Sequence, residues 1–156
     1  MRLIFRFCIA LTLGVMLALP PPASAQDFVE KKTFEMKEYK THLGATIKGL
    51  KVGWEAYGKL NEAKDNVILI THFFSGTSNA AGKYSADQTV PGYWDAIIGP
   101  GKAIDTDKYY VISSDTLVNL NANMKGVITT GPASINPDTG KPYGRDFPIV
   151  TIRDFV

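Results

Sequence analysis

The chain has 156 residues, 45% of them hydrophobic, which suits one domain of ordinary size and excludes two. The formal charge of +2 comes from Arg2 and Arg6; without them 15 basic residues face 15 acidic ones, so no basic footprint for nucleic acid is present. With 21% charged and 11% aromatic residues, the composition excludes intrinsic disorder.

Residues 1–25 read as a secretory signal peptide. Arg2 and Arg6 precede an apolar run from Phe7 to Leu19, followed by Pro20-Pro21-Pro22 and the A-x-A site Ala23-Ser24-Ala25. As a helix, that run would extend only about 20 Å, short of the roughly 30 Å hydrocarbon core that a membrane anchor must cross. Cleavage after Ala25 is expected, giving a periplasmic or secreted protein with no stable membrane anchor. Cys8 is the only cysteine and lies inside this segment without a lipobox before it. The mature chain, 26–156, therefore offers neither a disulfide nor thiolate zinc ligation.

Residues 27–32 are polar and read as a loose lead-in. Phe34 to Tyr39 alternates apolar and polar residues, as a half-buried strand does. Leu50 to Tyr57 reads as a second strand with Leu50, Val52, Trp54 and Ala56 on one face. Val67-Ile68-Leu69-Ile70 is an unbroken apolar run, expected to be covered on both faces in a parallel sheet. Pro91 to Ile98 predicts a short helix stopped by Gly99-Pro100-Gly101. Tyr109 to Ile112 is a second run of the buried type. Buried strands separated by helix and loop predict an α/β layered fold.

From Asp115 to Phe147 periodicity is weak, and Asn, Gly, Thr and Pro are dense. So long a loop is either a binding loop or lid, or an ordered surface loop without chemistry. Thr151 and Asp154 have the spacing of a capping box that opens a helix. Val156 comes one turn later, too soon to repay helix nucleation, so the chain reads as cut within a domain.

Few residues announce chemistry by themselves. His42 lies in a Lys-Thr-His-Leu-Gly turn and is expected to be solvated. Asp105 and Asp107 flank Thr106 with too few ligands for a cation, and a turn role is expected. No G-x-S-x-G occurs: Gly76-Thr77-Ser78-Asn79-Ala80 lacks the second glycine, and Gly131-Pro132-Ala133-Ser134 has the wrong spacing.

Three blocks nevertheless resemble one family. They are Ala56 to Gly82 (AYGKLNEAKDNVILITHFFSGTSNAAG), Gly92 to Ser113 (GYWDAIIGPGKAIDTDKYYVIS) and Thr130 to Val156 (TGPASINPDTGKPYGRDFPIVTIRDFV). Over roughly Lys51 to Val156 the chain resembles the N-terminal part of the homoserine O-acetyltransferase family. The resemblance implies an incomplete α/β-hydrolase domain over 26–156, truncated before the nucleophile elbow. It implies acyl transfer or ester hydrolysis through an acyl-serine in the full-length parent, with a small-molecule acyl ester or acyl donor as partner and no cofactor or metal.

In that fold one oxyanion donor comes from the loop after the third strand, here His72-Phe73-Phe74-Ser75-Gly76. The resemblance places the donor at the Phe74 backbone N–H, with His72, Ser75 and Gly76 shaping the loop. His72 precedes any nucleophile, whereas the triad histidine of this fold comes near the domain's end. The nucleophile, the triad acid and the triad histidine are absent from these residues, so the chain alone is expected to be inactive. The sequence also departs from the family where a Gly-rich turn is usual, reading Asp115 to Gly126 instead. An exported protein would, moreover, meet little homoserine or acetyl-CoA. A non-catalytic truncated remnant and a secreted binding module using the Asn/Gly loop are the competing expectations. No sequence feature specifies an oligomeric state.

Overall fold

The computed structural model describes residues 28–155, so the expected signal peptide over 1–25 lies outside the described residues. Nine-residue β1 (Lys32–Lys40) and twelve-residue β2 (Thr46–Tyr57) form an antiparallel hairpin, with Lys40 opposite Thr46 and Lys32 opposite Trp54. The turn between them is closed by the Thr41 hydroxyl, which accepts the Ala45 N–H at 3.1 Å. β3 (Val67–Ile70) follows, then the two-residue strands β4 (Ile98–Gly99) and β5 (Ile104–Asp105), then β6 (Tyr110–Ser114). A small hairpin of β7 (Ile135–Asn136) and β8 (Lys141–Pro142) completes the strands.

The main sheet has the order β1-β2-β6-β3. β6 runs antiparallel to β2 and parallel to β3, with Val67 opposite Tyr110 and Ile70 opposite Ser113. A parallel pair needs a crossover connection, and residues 71–109 supply it. Apolar side chains gather on both sides of the sheet. Ile70, Ala80, Ala81, Ile98 and Val111 form one cluster, and Ile47, Leu50 and Leu117 form the other.

Two expectations are corrected here. Pro91 to Ile98 forms successive turns and no helix. The N–H groups of Gly92, Tyr93 and Trp94 donate to the carbonyls of Gly82, Asn79 and Ala80, so the segment's first amides bind the neighbouring loop. Gly92 permits this approach, because a Cβ there would lie 2.2 Å from the Ala81 nitrogen. β3, in turn, is covered on one face only, with Leu69 63% exposed. It is the outermost strand of the described sheet, and nothing among the described residues covers its other face. Among the described residues there is no α-helix, only two one-turn 3₁₀ helices at Gly144–Asp146 and Ile152–Asp154. Accordingly, no described helix is long and apolar enough to cross a membrane.

The expected capping box does form at Thr151. The Asp154 carboxylate accepts the Thr151 N–H at 2.7 Å and the Thr151 hydroxyl at 3.0 Å. It also accepts the His42 N–H at 2.7 Å and the Tyr39 hydroxyl at 3.0 Å, pinning this segment to the end of β1. His42 itself is exposed, as the sequence predicts. The Thr151 N–H first, then the other donors, hold the Asp154 carboxyl down to about 2. An unfolded Asp titrates near 4, so this stabilisation is complete above about pH 4 and is lost as pH falls toward 2. Asp154→Asn should lower the Tm at pH 7, with the gap from the parent closing toward pH 2. A gap of constant size across that range would contradict the assignment.

Candidate functional site

The loop leaving β3 reverses direction at once. Phe73 to Gly76 is a β-turn in which the Gly76 N–H donates to the Phe73 carbonyl at 2.7 Å. The same carbonyl lies 2.7 Å from His72 Nδ1. A carbonyl can only accept, so Nδ1 carries a hydrogen and donates it here. Among the described residues Nε2 is buried without a partner. Gly76 must be glycine, since a Cβ would meet the His72 Cβ at 2.9 Å and the Phe73 oxygen at 3.0 Å.

Two donors on the Phe73 oxygen fix the Phe73–Phe74 peptide plane. In a trans peptide the N–H points opposite the carbonyl, so the Phe74 N–H faces outward. Among the described residues it has no acceptor. Packing holds this tip only through Phe73, 59% exposed and set edge-on against Tyr93 at 5.5 Å between ring centroids, while Phe74 is 88% exposed. Further restraint comes from the Asp115–Phe147 loop. Asn121 Nδ2 donates to the Ser75 carbonyl at 2.7 Å, and Asn119 Nδ2 donates to the Gly76 carbonyl at 3.0 Å.

Immediately beyond the turn, the chain enters a buried ionic cluster. Ser78 is fully buried; its N–H donates to Asp115 Oδ1 at 2.9 Å and its hydroxyl to Glu55 Oε1 at 2.7 Å. Lys31 Nζ lies 3.2 Å from Glu55 Oε1 and 2.9 Å from Asp115 Oδ2, and it also donates to the Ser78 hydroxyl oxygen. The Tyr57 hydroxyl donates to Glu55 Oε2 at 2.7 Å and accepts the Ala80 and Ala81 N–H groups at 3.1 and 3.0 Å. The Tyr84 hydroxyl donates to Glu55 Oε1. Asp115 Oδ2 further accepts the Ile128 N–H at 3.0 Å. Burial, reinforced by Glu55, raises the pKa of both tyrosine hydroxyls and keeps them protonated as donors.

The sequence reading of this region is therefore revised in one place and extended in another. Residues 27–32 were expected to be loose, yet the Lys31 side chain, 12% exposed, is held between two carboxylates. Leu50, Val52, Trp54 and Ala56 were read as one face of β2 with nothing said of the other, and Glu55 on that other face is 0% exposed. Phe74, Ser75 and Gly76 do lie in one turn, and His72 immediately precedes it with its ring on the turn's Phe73 carbonyl. Asp105 caps its own turn, accepting the Gly101 and Asp107 N–H groups at 2.9 and 3.1 Å. Those amides, Gly101 first, with Lys108, lower its pKa. The Ser134 hydroxyl accepts the Gly131 N–H at 3.0 Å within a turn.

Solved proteins of α/β-hydrolase fold superpose on this chain. Esterase E22 superposes with a TM-score of 0.78 at 71% identity, over 82% of this chain and 35% of its own. A homoserine O-acetyltransferase from Bacillus anthracis superposes at 0.78 with 52% identity, over 82% of this chain and 34% of its own. The homoserine O-acetyltransferase of Methanococcoides burtonii is 50% identical over 119 residues, 76% of this chain and 23% of that protein. Relatives named homoserine O-succinyltransferase match to a similar degree. No family model matches the chain. The chain thus spans about a third of the solved structures and about a quarter of the first curated relatives.

By class, the chain carries a portion of an α/β-hydrolase fold, consistent with an N-terminal portion. More particularly, it is a homologue of the homoserine O-acetyltransferases over most of its length, as its three sequence blocks predict.

The ionic cluster makes a direct prediction. Lys31→Met leaves two buried carboxylates without a countercharge and should cost about 3–5 kcal/mol in denaturant unfolding. Lys51→Met breaks an exposed pair with Glu35 and should cost less than about 1 kcal/mol. Equal costs for the two would contradict the account.

Proposed function

We propose that this chain forms the oxyanion-binding part of an exported acyl-ester hydrolase or acyltransferase that works through an acyl-serine. Attack of a serine oxygen on an acyl carbonyl leaves negative charge on the carbonyl oxygen. A backbone N–H that is already oriented and unpaired stabilises that charge without rearranging during the reaction. The observation that carries the reading is the Phe74 N–H, which has no acceptor among the described residues while its peptide's carbonyl is held by Gly76 and His72. His72, Ser75 and Gly76 shape the turn in this reading and take no part in proton transfer.

The 71% identity with a solved esterase exceeds the 52% with a solved homoserine O-acetyltransferase, which favours hydrolysis or transfer of a small acyl ester. Export points the same way, because homoserine and acetyl-CoA are cytosolic. The exported protein should start at Gln26 on N-terminal sequencing; a start at Met1 would contradict this.

The described residues hold no G-x-S-x-G elbow. Ser78 is no substitute, since it is fully buried and its hydroxyl is committed to Glu55. Nucleophile and base therefore belong to the rest of a complete domain, and the 156-residue chain alone should not turn over p-nitrophenyl acetate. Turnover abolished by organophosphonate labelling of Ser75 or Ser78 would contradict this. The donor itself is tested in a chimera carrying residues 28–155 in place of the matching part of esterase E22. Phe74→Pro removes the N–H at a turn position that accepts proline, and kcat should fall about 100- to 1000-fold. An unchanged kcat would reject the oxyanion reading.

A further inference from the structure

The Phe73–Gly76 turn bears two exposed aromatics at its tip, of which only Phe73 has an aromatic partner, Tyr93, so the turn's backbone depends on hydrogen bonds. The Ser75–Gly76 peptide is held at both ends: its N–H by the Phe73 carbonyl at 2.7 Å and its carbonyl by Asn121 Nδ2 at 2.7 Å. The next carbonyl, of Gly76, is held by Asn119 Nδ2 at 3.0 Å. We propose that Asn121 and Asn119 are positioning residues that fix the direction of the Phe74 N–H, an inference resting on the reading of that amide as the oxyanion donor.

Three observations carry it. The Asn119 amide has one workable orientation: Oδ1 accepts the Asn121 N–H at 2.8 Å, so Nδ2 faces the Gly76 oxygen, and a flipped amide would oppose like groups at both contacts. Asn119 is also anchored from behind. It is 6% exposed, and its N–H donates to the Thr129 hydroxyl oxygen at 3.2 Å, while that hydroxyl donates to the Thr116 carbonyl at 2.6 Å. Finally, both asparagines act on the turn through carbonyls alone, and neither occupies the Phe74 N–H. A donor aimed at developing charge is useful only if it is held before the charge appears. The two side chains hold it in that way and touch no reacting atom themselves.

The clamp is tested on the ¹⁵N-labelled 156-residue chain. Asn121→Ala removes the donor, and Asn121→Asp keeps the size while replacing the donor with an acceptor. In both, the Phe74 and Gly76 amide resonances should shift and lose order by heteronuclear NOE. The Ala80 and Ala81 amides, held by Tyr57, should stay in place. Unchanged Phe74 and Gly76 resonances, or parent-like behaviour of Asn121→Asp, would overturn the proposal, as would a spectrum altered throughout.

In the esterase chimera, Asn121→Ala should lower kcat about 10- to 100-fold with KM within about twofold. A loss confined to KM would overturn the positioning role. If Phe74→Pro leaves kcat unchanged while Asn121→Ala still disorders the turn, the oxyanion reading fails and the catalytic part of this inference falls with it. If Phe74→Pro lowers kcat and Asn121→Ala does not, the oxyanion reading stands and the clamp is rejected.

Discussion

One ammonium group between two buried carboxylates organises this chain. Lys31 reaches Glu55 of β2 and Asp115 just beyond β6, and Ser78 of the crossover bonds to all three. Four stretches far apart in sequence thus meet at one cluster. A buried ion pair gives little net stability over a well-packed apolar substitute, because desolvation offsets the Coulomb attraction. Its consequence is specificity, since each carboxylate is satisfied only if every donor arrives in register. Lys31, Ser78, Tyr57 and Tyr84 supply the four donors to Glu55. Sliding any of these segments would strand a charge away from water.

That constraint reaches the turn after β3 from below. Ser78, Ala80 and Ala81 have their N–H groups committed to Asp115 and Tyr57, which fixes the path of the chain as it leaves the turn. From the side, Asn119 and Asn121 hold the turn's carbonyls. Asp115 opens the segment that carries both asparagines, so the ionic cluster and the polar clamp share one foundation. The result is a tip exposed enough to meet a substrate, with its backbone restrained by hydrogen bonds rather than by burial.

The sheet was largely legible in the sequence because its signals are local. Alternation at Phe34–Tyr39 and the apolar runs at Val67–Ile70 and Tyr109–Ile112 mark β1, β3 and β6 to within one or two residues. The capping residues Thr151 and Asp154 likewise read directly as the turn they form. What stayed hidden depends on partners distant along the chain. Glu55 sits where alternation assigns a solvent-facing residue, and only Lys31, Ser78 and the two tyrosines make its burial tolerable. Lys31 itself lies in a polar stretch that looks loose from composition. Pro91–Ile98 has residues suited to a helix, but its first amides find acceptors in the 79–82 loop. Val67 and Leu69 read as doubly covered because an apolar run does not reveal which strand lies outermost. Of the site, the turn was legible through family resemblance alone, and the asparagine clamp was not. Asn, Gly and Thr in a long loop are as compatible with a solvated surface as with a scaffold.

The central claim is that the polar cluster makes the crossover as rigid as the sheet while leaving the Phe74 amide unpaired among the described residues. Native-state hydrogen exchange, read amide by amide, tests this most directly. The account predicts that the Ser78, Ala80 and Ala81 amides are protected to the same degree as Val111 in β6, while the Phe74 amide exchanges at the rate of an open turn. Fast exchange at Ser78, Ala80 and Ala81, or strong protection at Phe74, would contradict it.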